Sequence, residues 1–139
     1  MYQPFTLNRE TKVKALRTWF VAYGTPAFTN LSMRIYDAKS GVPTVLKHTF
    51  DKVWTPGQIL ETHGYGLKEI YFDFTTPAWL RRDTTYCLVP WVSGNSFSAT
   101  SFLSWVRGFP DPNTTHAVTL APSNISKVPY YMALIGADK

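Results

Sequence analysis

Apolar and polar positions alternate with a period of two in the first half of the stretch from Lys68 to Val92. Ile70, Phe72 and Phe74 fall on one face, and the residues between them carry polar groups. This alternation is typical of a strand that buries one face. We predict that the strand ends at Pro77, because proline cannot donate a hydrogen bond to a neighbouring strand.

The second half of this stretch predicts another strand. A polar turn at Arg81–Asp83 is followed by Thr84–Val92, which is dense in β-branched and aromatic residues. We expect the two strands to form the centre of a β-sandwich. The other strands would then pair with them or pack across from them.

The rest of the chain consists of short strand-like segments separated by proline and glycine turns. Past Leu16 the alternation is lost, which indicates either a bulge or a strand with both faces covered. We predict a single all-β domain over residues 1–139, with eight to ten strands and no helix longer than a turn or two. The further predicted strands are 3–7, 12–23, 31–36, 44–50, 58–61, 98–106, 116–120 and 130–135.

Composition adds constraints on partners. The chain has 139 residues, enough for one domain with a sizeable core, and 16% of them are aromatic. The formal charge of +5 could suit nucleic acid or an acidic surface, but the basic residues are scattered apart from a run between Arg9 and Arg17. A solvated strand face explains that run. We therefore expect no nucleic-acid partner.

The cellular compartment is constrained by three features. Cys87 is the single cysteine, so no internal disulfide forms and the fold depends on packing. No apolar run is long enough to span a bilayer, so we expect no membrane partner. The N-terminus has neither the basic nor the apolar region of a secretory signal. We expect a protein made in the cytoplasm that leaves only as part of something larger.

The sequence contains no recognisable catalytic constellation. Cys87 lies mid-strand, where a small buried apolar role is expected rather than that of a nucleophile. We therefore predict a protein that is not an enzyme and uses no cofactor. Three histidines are too far apart for the ligand spacing of a zinc site, namely His48, His63 and His116.

Calcium is the remaining metal to consider. Asp37, Asp51 and Asp111 lie in turn-rich segments and could contribute oxygen ligands. No ligand-dense loop accompanies them, and aspartate is common in turns for local reasons. We expect no metal site.

Four stretches share a recurring succession of strands and turns. They are Lys12-Val13…Trp19-Phe20…Gly24-Thr25-Pro26, Met33–Asp37…Gly41-Val42-Pro43, Tyr71–Phe74, and Leu80…Thr84–Val89. This succession resembles a jelly-roll β-sandwich family of non-catalytic modules, found on bacterial surface proteins, attached to secreted enzymes and in bacteriophage structural proteins. The resemblance covers roughly residues 3–106. It implies a jelly roll of two antiparallel sheets and a role other than catalysis.

The chain departs from the family pattern at one corner. The family usually has a glycine before its Thr-x-Tyr motif, whereas this chain has Arg82-Asp83 before Thr84. Aspartate tolerates turn conformations, so the fold is expected to be unchanged. What the corner touches is expected to differ.

Carbohydrate binding is one functional hypothesis. Sugars stack on exposed aromatic rings while neighbouring polar groups hold their hydroxyls. Trp54, Tyr65 and Trp79 fall in or beside predicted loops, where a binding side chain would be presented. The alternative is that each ring plugs an open end of the sandwich.

The leading hypothesis is a virion structural protein of a tailed bacteriophage, as a capsid decoration or a tail or fibre component. We expect the module to be the whole gene product, assembled onto a particle in the host cytoplasm and released on lysis. The positive charge would suit docking on other, acidic virion proteins. A homo-oligomer, for example a trimer, is expected. Tyr2, Phe5 and Phe109 are the candidate assembly contacts.

Overall fold

Nine strands in two antiparallel sheets make up most of the computed structural model, which describes residues 2–60, 67–106, 118–120 and 132–136. The predicted all-β class is therefore confirmed. In chain order the elements are β1 (Gln3–Leu7), β2 (Thr11–Tyr23), β3 (Asn30–Lys39), β4 (Val42–Thr49), α1 (Pro56–Leu60), β5 (Leu67–Leu80), β6 (Thr85–Ser93), β7 (Phe102–Trp105), β8 (Val118–Leu120) and β9 (Met132–Gly136).

The two sheets enclose one hydrophobic core. The five-stranded sheet has the order β4-β3-β6-β1-β8, and in the four-stranded sheet β2 pairs with β5 on one side and with β7 and β9 on the other. Inward side chains of both sheets, such as Phe5, Ile35, Leu16 and Phe72, belong to one buried cluster. Removal of this apolar surface from water is the main stabilising contribution to the fold.

A bulge in β2 shifts its pattern of burial. Val13 is buried before it and Leu16, Thr18 and Phe20 after it, so the inward positions change from odd to even. The pairing with β9 shows the cause, because Val13 and Ala15 lie opposite consecutive residues of β9. Of the two alternatives that the sequence leaves open, the bulge is therefore confirmed.

Opposite Lys14, at the bulge of β2, the pairing with β5 is interrupted over several residues of β5. Val13 pairs with Ala78 and Ala15 with Asp73, which leaves residues 74–77 opposite Lys14 alone. Pro77 lies in this irregular segment, where no ladder hydrogen bond is required of it. The prediction that Pro77 ends the strand is wrong, because β5 continues to Leu80.

The predicted central pair of strands is separated. β5 and β6 lie in different sheets, and β5 is at the edge of its sheet within the described part of the chain. β2 has the central position instead, because its 13 residues are long enough to pair with three strands.

The polar corner between β5 and β6 carries the chain from one sheet to the other. Asp83 has a φ of +54° in the left-handed region, and its N–H donates to the carbonyl of Leu7 at 2.9 Å. Aspartate therefore takes over the position where glycine was expected, as aspartate tolerates this backbone conformation.

The predicted weak strand over 58–61 is wrong, because residues Pro56–Leu60 form a short helix. Thr55 and Gln58 make a reciprocal capping box: the Thr55 N–H donates to Gln58 Oε1 at 2.9 Å and the Gln58 N–H to Thr55 Oγ1 at 3.4 Å. Proline at the first helical position is pre-organised for this start. Ile59 then packs into the core with 5% of its surface exposed.

Candidate functional site

A groove runs along the side of the sandwich where β4 approaches the second half of β5. It consists of two concavities that share His48 and Trp79, and we call it the Trp79 groove. The first, of about 530 Å³, is lined by His48, Thr49, Asp51 and residues 74–79. The second, of about 630 Å³, is lined by Glu10, Asp37, Lys47, His48, residues 79–81, Thr84 and Tyr86.

The sheet fixes the direction of Trp79. Its neighbours Ala78 and Leu80 are buried, so the alternation of the strand turns the indole outward, where it is 59% exposed. Lys12 lies opposite on β2, with its Nζ 5.7 Å from the centre of the indole ring. The ring is therefore presented on a rigid strand rather than on a loop.

The first concavity has a packed aromatic base. The rings of Phe50 and Phe74 stack with centroids 4.0 Å apart, and His48 meets Phe74 edge-on at 6.0 Å. Such contacts add to the area that the rings bury. Because Phe50 and His48 come from the β4 side and Phe74 from β5, the contacts hold the two walls of the groove together.

Hydrogen bonds from Asp51 also connect these walls. The Asp51 N–H donates to the carbonyl of Asp73 at 2.9 Å, and Asp51 Oδ2 accepts from the N–H of Thr75 at 2.5 Å. Both partners lie on β5, so the bonds occupy backbone groups that an edge strand would otherwise leave unpaired. The groove is consequently formed before any ligand arrives.

The second concavity contains both paired and uncommitted charges. Lys47 Nζ and Asp37 Oδ2 form an ion pair at 3.2 Å. Among the residues that the structure describes, Glu10 and Arg81 form no ion pair, although both line the concavity. The Arg81 N–H donates to the hydroxyl of Tyr86 at 3.0 Å, which anchors its backbone. One carboxylate and one guanidinium are thus available to a ligand.

Trp54 has a different role from Trp79. It is half-buried against the core, its indole N–H donates to the carbonyl of Tyr71 at 2.8 Å, and its backbone pairs with Leu31. These bonds link β3 and β5 and close the side of the sandwich, which matches the plugging alternative. Tyr71, which binds the Trp54 indole, pairs with Arg17 of β2, whereas Trp79 pairs with Lys12. Arg17 and Lys12 are five positions apart, so Tyr71 and Trp79 are separated by about 16 Å along the strand.

Trp54 therefore does not contribute to the surface around Trp79. Tyr65, the third predicted sugar-binding residue, lies outside the described residues.

The predicted assembly residues are placed as follows. Tyr2 is half-buried beside β1. Phe5 is 1% exposed and lies 5.9 Å from the ring of Tyr86, so its side chain belongs to the core and cannot make an external contact. The alternation of β1 turns Phe5 inward together with Leu7. Phe109 lies outside the described residues.

Exposed apolar side chains gather instead on β4, which the sequence reasoning did not single out. Val42, Val45 and Leu46 are 49%, 59% and 44% exposed. The adjacent pair Val45-Leu46 was a signal, because neighbouring apolar residues on a strand must point to opposite faces. In a regular strand at the edge of a single core, one of the two side chains is expected to point away from that core.

Cys87 is buried, with its Sγ 3.8 Å from the carbonyl oxygen of Gly41 at the tip of the β3–β4 hairpin. Burial raises the pKa of this thiol to about 11, because desolvation disfavours the thiolate. The expected buried position is confirmed. At neutral pH the thiol is protonated and therefore a poor nucleophile.

Two of the aspartates considered for calcium have other partners: Asp37 pairs with Lys47, and Asp51 accepts from the backbone of Thr75. The third, Asp111, lies outside the described residues. Within the described ranges, no group of three or more His, Cys, Asp or Glu side chains is arranged to hold a metal ion. No helix in those ranges is long and apolar enough to cross a membrane.

Comparison of the chain with known protein families, with curated proteins and with solved structures found no match. The functional interpretation therefore depends on the chemistry of two features, the Trp79 groove and the exposed strand β4. The groove combines an exposed indole with polar side chains. Within the described ranges, the strand combines a position at the edge of its sheet with exposed aliphatic side chains.

Proposed function

We propose that this protein is a non-enzymatic structural component of a tailed-bacteriophage particle, of jelly-roll type. It would act in capsid decoration or in the tail or its fibres through contacts with copies of itself and with other virion proteins. The observation that supports the proposal is the exposure of β4. A strand in this condition gains stability when another chain covers it.

The β3–β4 hairpin presents β4 from the side of the sandwich. Its turn has two residues, Ser40 and Gly41, with φ values of +53° and +74°, as a type I′ hairpin requires. Among the strands that the structure describes, β4 pairs with β3 alone, and six of its eight residues are exposed. Within that part of the chain, the strand therefore offers unpaired backbone groups at its edge together with exposed aliphatic side chains.

A second copy of the chain is the partner that fits this edge. Antiparallel pairing of β4 with β4 across a twofold axis would satisfy the edge and join two five-stranded sheets. Charge does not oppose this pairing, because Lys47 is already paired with Asp37 of its own chain. Val45 and Leu46 would gain neighbours from the partner strand and become less exposed.

Sedimentation of a charged variant tests this contact. Val45→Lys places a charge in the proposed interface and should shift the protein toward the monomer in analytical ultracentrifugation. The matched control is Val53→Lys, because Val53 is 38% exposed but lies outside β4. A wild-type protein that stays monomeric at high concentration would contradict the contact.

The virion assignment has its own test. Mass spectrometry of purified particles from the source should detect the chain at a copy number set by the particle's symmetry. Its absence from the particles would overturn the assignment, whatever the oligomeric state.

Carbohydrate recognition is a second candidate function, supported by Trp79. An indole that is 59% exposed beside a preformed polar groove has the chemistry for stacking on a sugar ring. The two candidate functions share β4, because Lys47, His48 and Thr49 of this strand line the groove. A glycan array probed with wild-type protein tests this candidate, and retention of no glycan would contradict it.

A further inference from the structure

We propose that the Trp79 groove binds an uncharged oligosaccharide that crosses Trp79 and occupies both concavities. This inference rests on the second candidate function and specifies its ligand. It is independent of whether the protein belongs to a virion.

The length of the ligand follows from the shape of the groove. Each concavity, of about 530 and 630 Å³, lies within the usual range of about 300–1,000 Å³ for a complete small-molecule site. Trp79 lines both, so its ring stands where they meet. A single sugar on the indole would reach into the concavities without filling them. A chain of several units that passes over the ring would contact both.

The absence of charge on the ligand follows from the balance of charges in the second concavity. Its charged lining residues are two carboxylates, Glu10 and Asp37, and two basic side chains, Lys47 and Arg81. The Asp37–Lys47 pair is internally neutralised at 3.2 Å. The remaining carboxylate and guanidinium have opposite charges, so these four side chains carry no net charge that would favour an acidic or a basic sugar unit.

Sugar hydroxyls suit this remaining pair. The Glu10 carboxylate can only accept hydrogen bonds and the Arg81 guanidinium can only donate them, whereas a hydroxyl does both. Two neighbouring hydroxyls of one sugar unit could therefore bind one to each group. On the other side of Trp79, Thr49, Thr75 and Thr76 line the first concavity and offer hydroxyls to a second unit.

Two pairs of variants separate this site from the rest of the surface. Trp79→Ala removes the stacking ring, and Trp91→Ala is its control because Trp91 is 47% exposed on the other sheet. Arg81→Gln removes the donor, and its control is Arg82→Gln. Arg82 lies next in sequence but is paired with Asp83 at 3.2 Å. Thermal unfolding of all four variants shows whether each is folded.

The experiment measures affinity by calorimetry for series of neutral gluco-, galacto- and manno-oligosaccharides from the single sugar upward. In the series that binds, affinity should rise about tenfold or more with length and then level off once both concavities are filled. Trp79→Ala should weaken binding of the longest chain about tenfold or more, as expected for loss of a central aromatic contact. Arg81→Gln should reduce the rise in affinity with oligosaccharide length. The controls Trp91→Ala and Arg82→Gln should bind as the wild type does.

The outcomes distinguish this inference from the function on which it rests. A single sugar bound as tightly as the chains, or binding restricted to acidic glycans, would overturn the inference while leaving carbohydrate recognition in place. Equal losses in Trp79→Ala and Trp91→Ala would overturn the site. Retention of no glycan by the wild type would overturn the inference and the candidate function together.

Discussion

The strands β2 and β4 differ in how many strands they pair with and in how far their side chains are buried. β2 pairs with β5, β7 and β9, and seven of its side chains from Thr11 to Ala22 are buried. Among the strands that the structure describes, β4 pairs with β3 alone, and it has no buried residue. Both strands are irregular, since the register shifts once along β2 and twice between β3 and β4.

The contrast between β2 and β4 assigns stability of the fold to the first strand and contact with other chains to the second. The bulge in β2 re-phases the strand so that both of its halves turn their apolar residues toward the core. The bulges next to β4 accompany a strand that stays outside the core and carries exposed aliphatic residues. Substitutions in β2 should therefore change the free energy of unfolding, and substitutions in β4 should change association.

The largest expected effect is on the core side of this comparison. Phe20 of β2 is 2% exposed and stacks on Trp105 with centroids 6.0 Å apart. Phe20→Ala should lower the free energy of unfolding by about 3–5 kcal/mol, because it leaves a cavity as well as removing apolar contacts. Urea titration measures this change.

Leu46→Ala is the matched variant on β4, where the side chain is 44% exposed. It should change the free energy of unfolding of the monomer by no more than about 0.5 kcal/mol. An equal loss of unfolding free energy in Phe20→Ala and Leu46→Ala would show that Leu46 is buried in solution, and it would contradict the contrast between β2 and β4.

The second largest change in the free energy of unfolding is expected at two glycines that flank these strands, Gly24 after β2 and Gly41 before β4. Gly24, just after β2, has a φ of +66°, and a Cβ there would lie 2.5 Å from the carbonyl oxygen of Thr100. Gly24→Ala should cost about 2–4 kcal/mol, combining the left-handed conformation with a backbone clash.

Gly41 in the β3–β4 hairpin shows how much of the destabilisation comes from the left-handed backbone conformation alone. Its φ is +74°, but a Cβ there would meet nothing within 4 Å. Gly41→Ala should therefore cost only about 1–2 kcal/mol. A larger loss for Gly41→Ala than for Gly24→Ala in thermal or urea unfolding would contradict this account of the two positions.

The pH dependence of stability probes the junction between the hairpin and the sheet. The pKa of Cys87 is raised to about 11 in the folded protein from an ordinary value of 9.0. The folded state therefore retains the proton more strongly than the unfolded chain, so this contribution to stability is fully present below pH 9 and is lost as the pH rises toward 11. Cys87→Ala should make the fall in stability over this range shallower than in the wild type.

Other groups titrate in the same range, so the difference between the two proteins is the relevant quantity. Identical slopes of the free energy of unfolding against pH would show that Cys87 does not stay protonated in the fold.

The smallest expected effect is a gain in stability at the tip of the hairpin. Ser40 has a φ of +53°, a conformation that asparagine adopts more readily than serine at this position of a type I′ turn. Ser40→Asn should raise the melting temperature slightly, corresponding to about 0.5 kcal/mol. Because Ser40 lies in the turn and not in β4, this variant should leave the oligomeric state unchanged. A fall in melting temperature would contradict the turn assignment.

The sequence by itself determined the features that depend on near neighbours. Alternation placed most strands within a few residues, and the loss of alternation past Leu16 left a bulge in β2 as one of two alternatives, whereas the structure places the bulge at Lys14. The polar corner at Arg81–Asp83 was also predicted, with aspartate in place of glycine. The capping box at Thr55 and Gln58 was present in the sequence as well, and the segment was nevertheless predicted as a strand. Turn, cap and strand preferences act over a few residues, so they can be inferred from the sequence.

Only the tertiary structure decided which strands pair and what they enclose. β5 and β6 are adjacent in sequence with equally strong strand patterns, yet they lie in different sheets, because pairing energy depends on partners distant in the chain. Phe5 and Trp79 are both aromatic residues on strands, but packing buries the first and leaves the second exposed beside a groove. That groove exists because β4 and β5 meet from opposite sheets, about 30 residues apart in sequence. No local pattern specifies such a meeting, since it is fixed by the burial of the whole core.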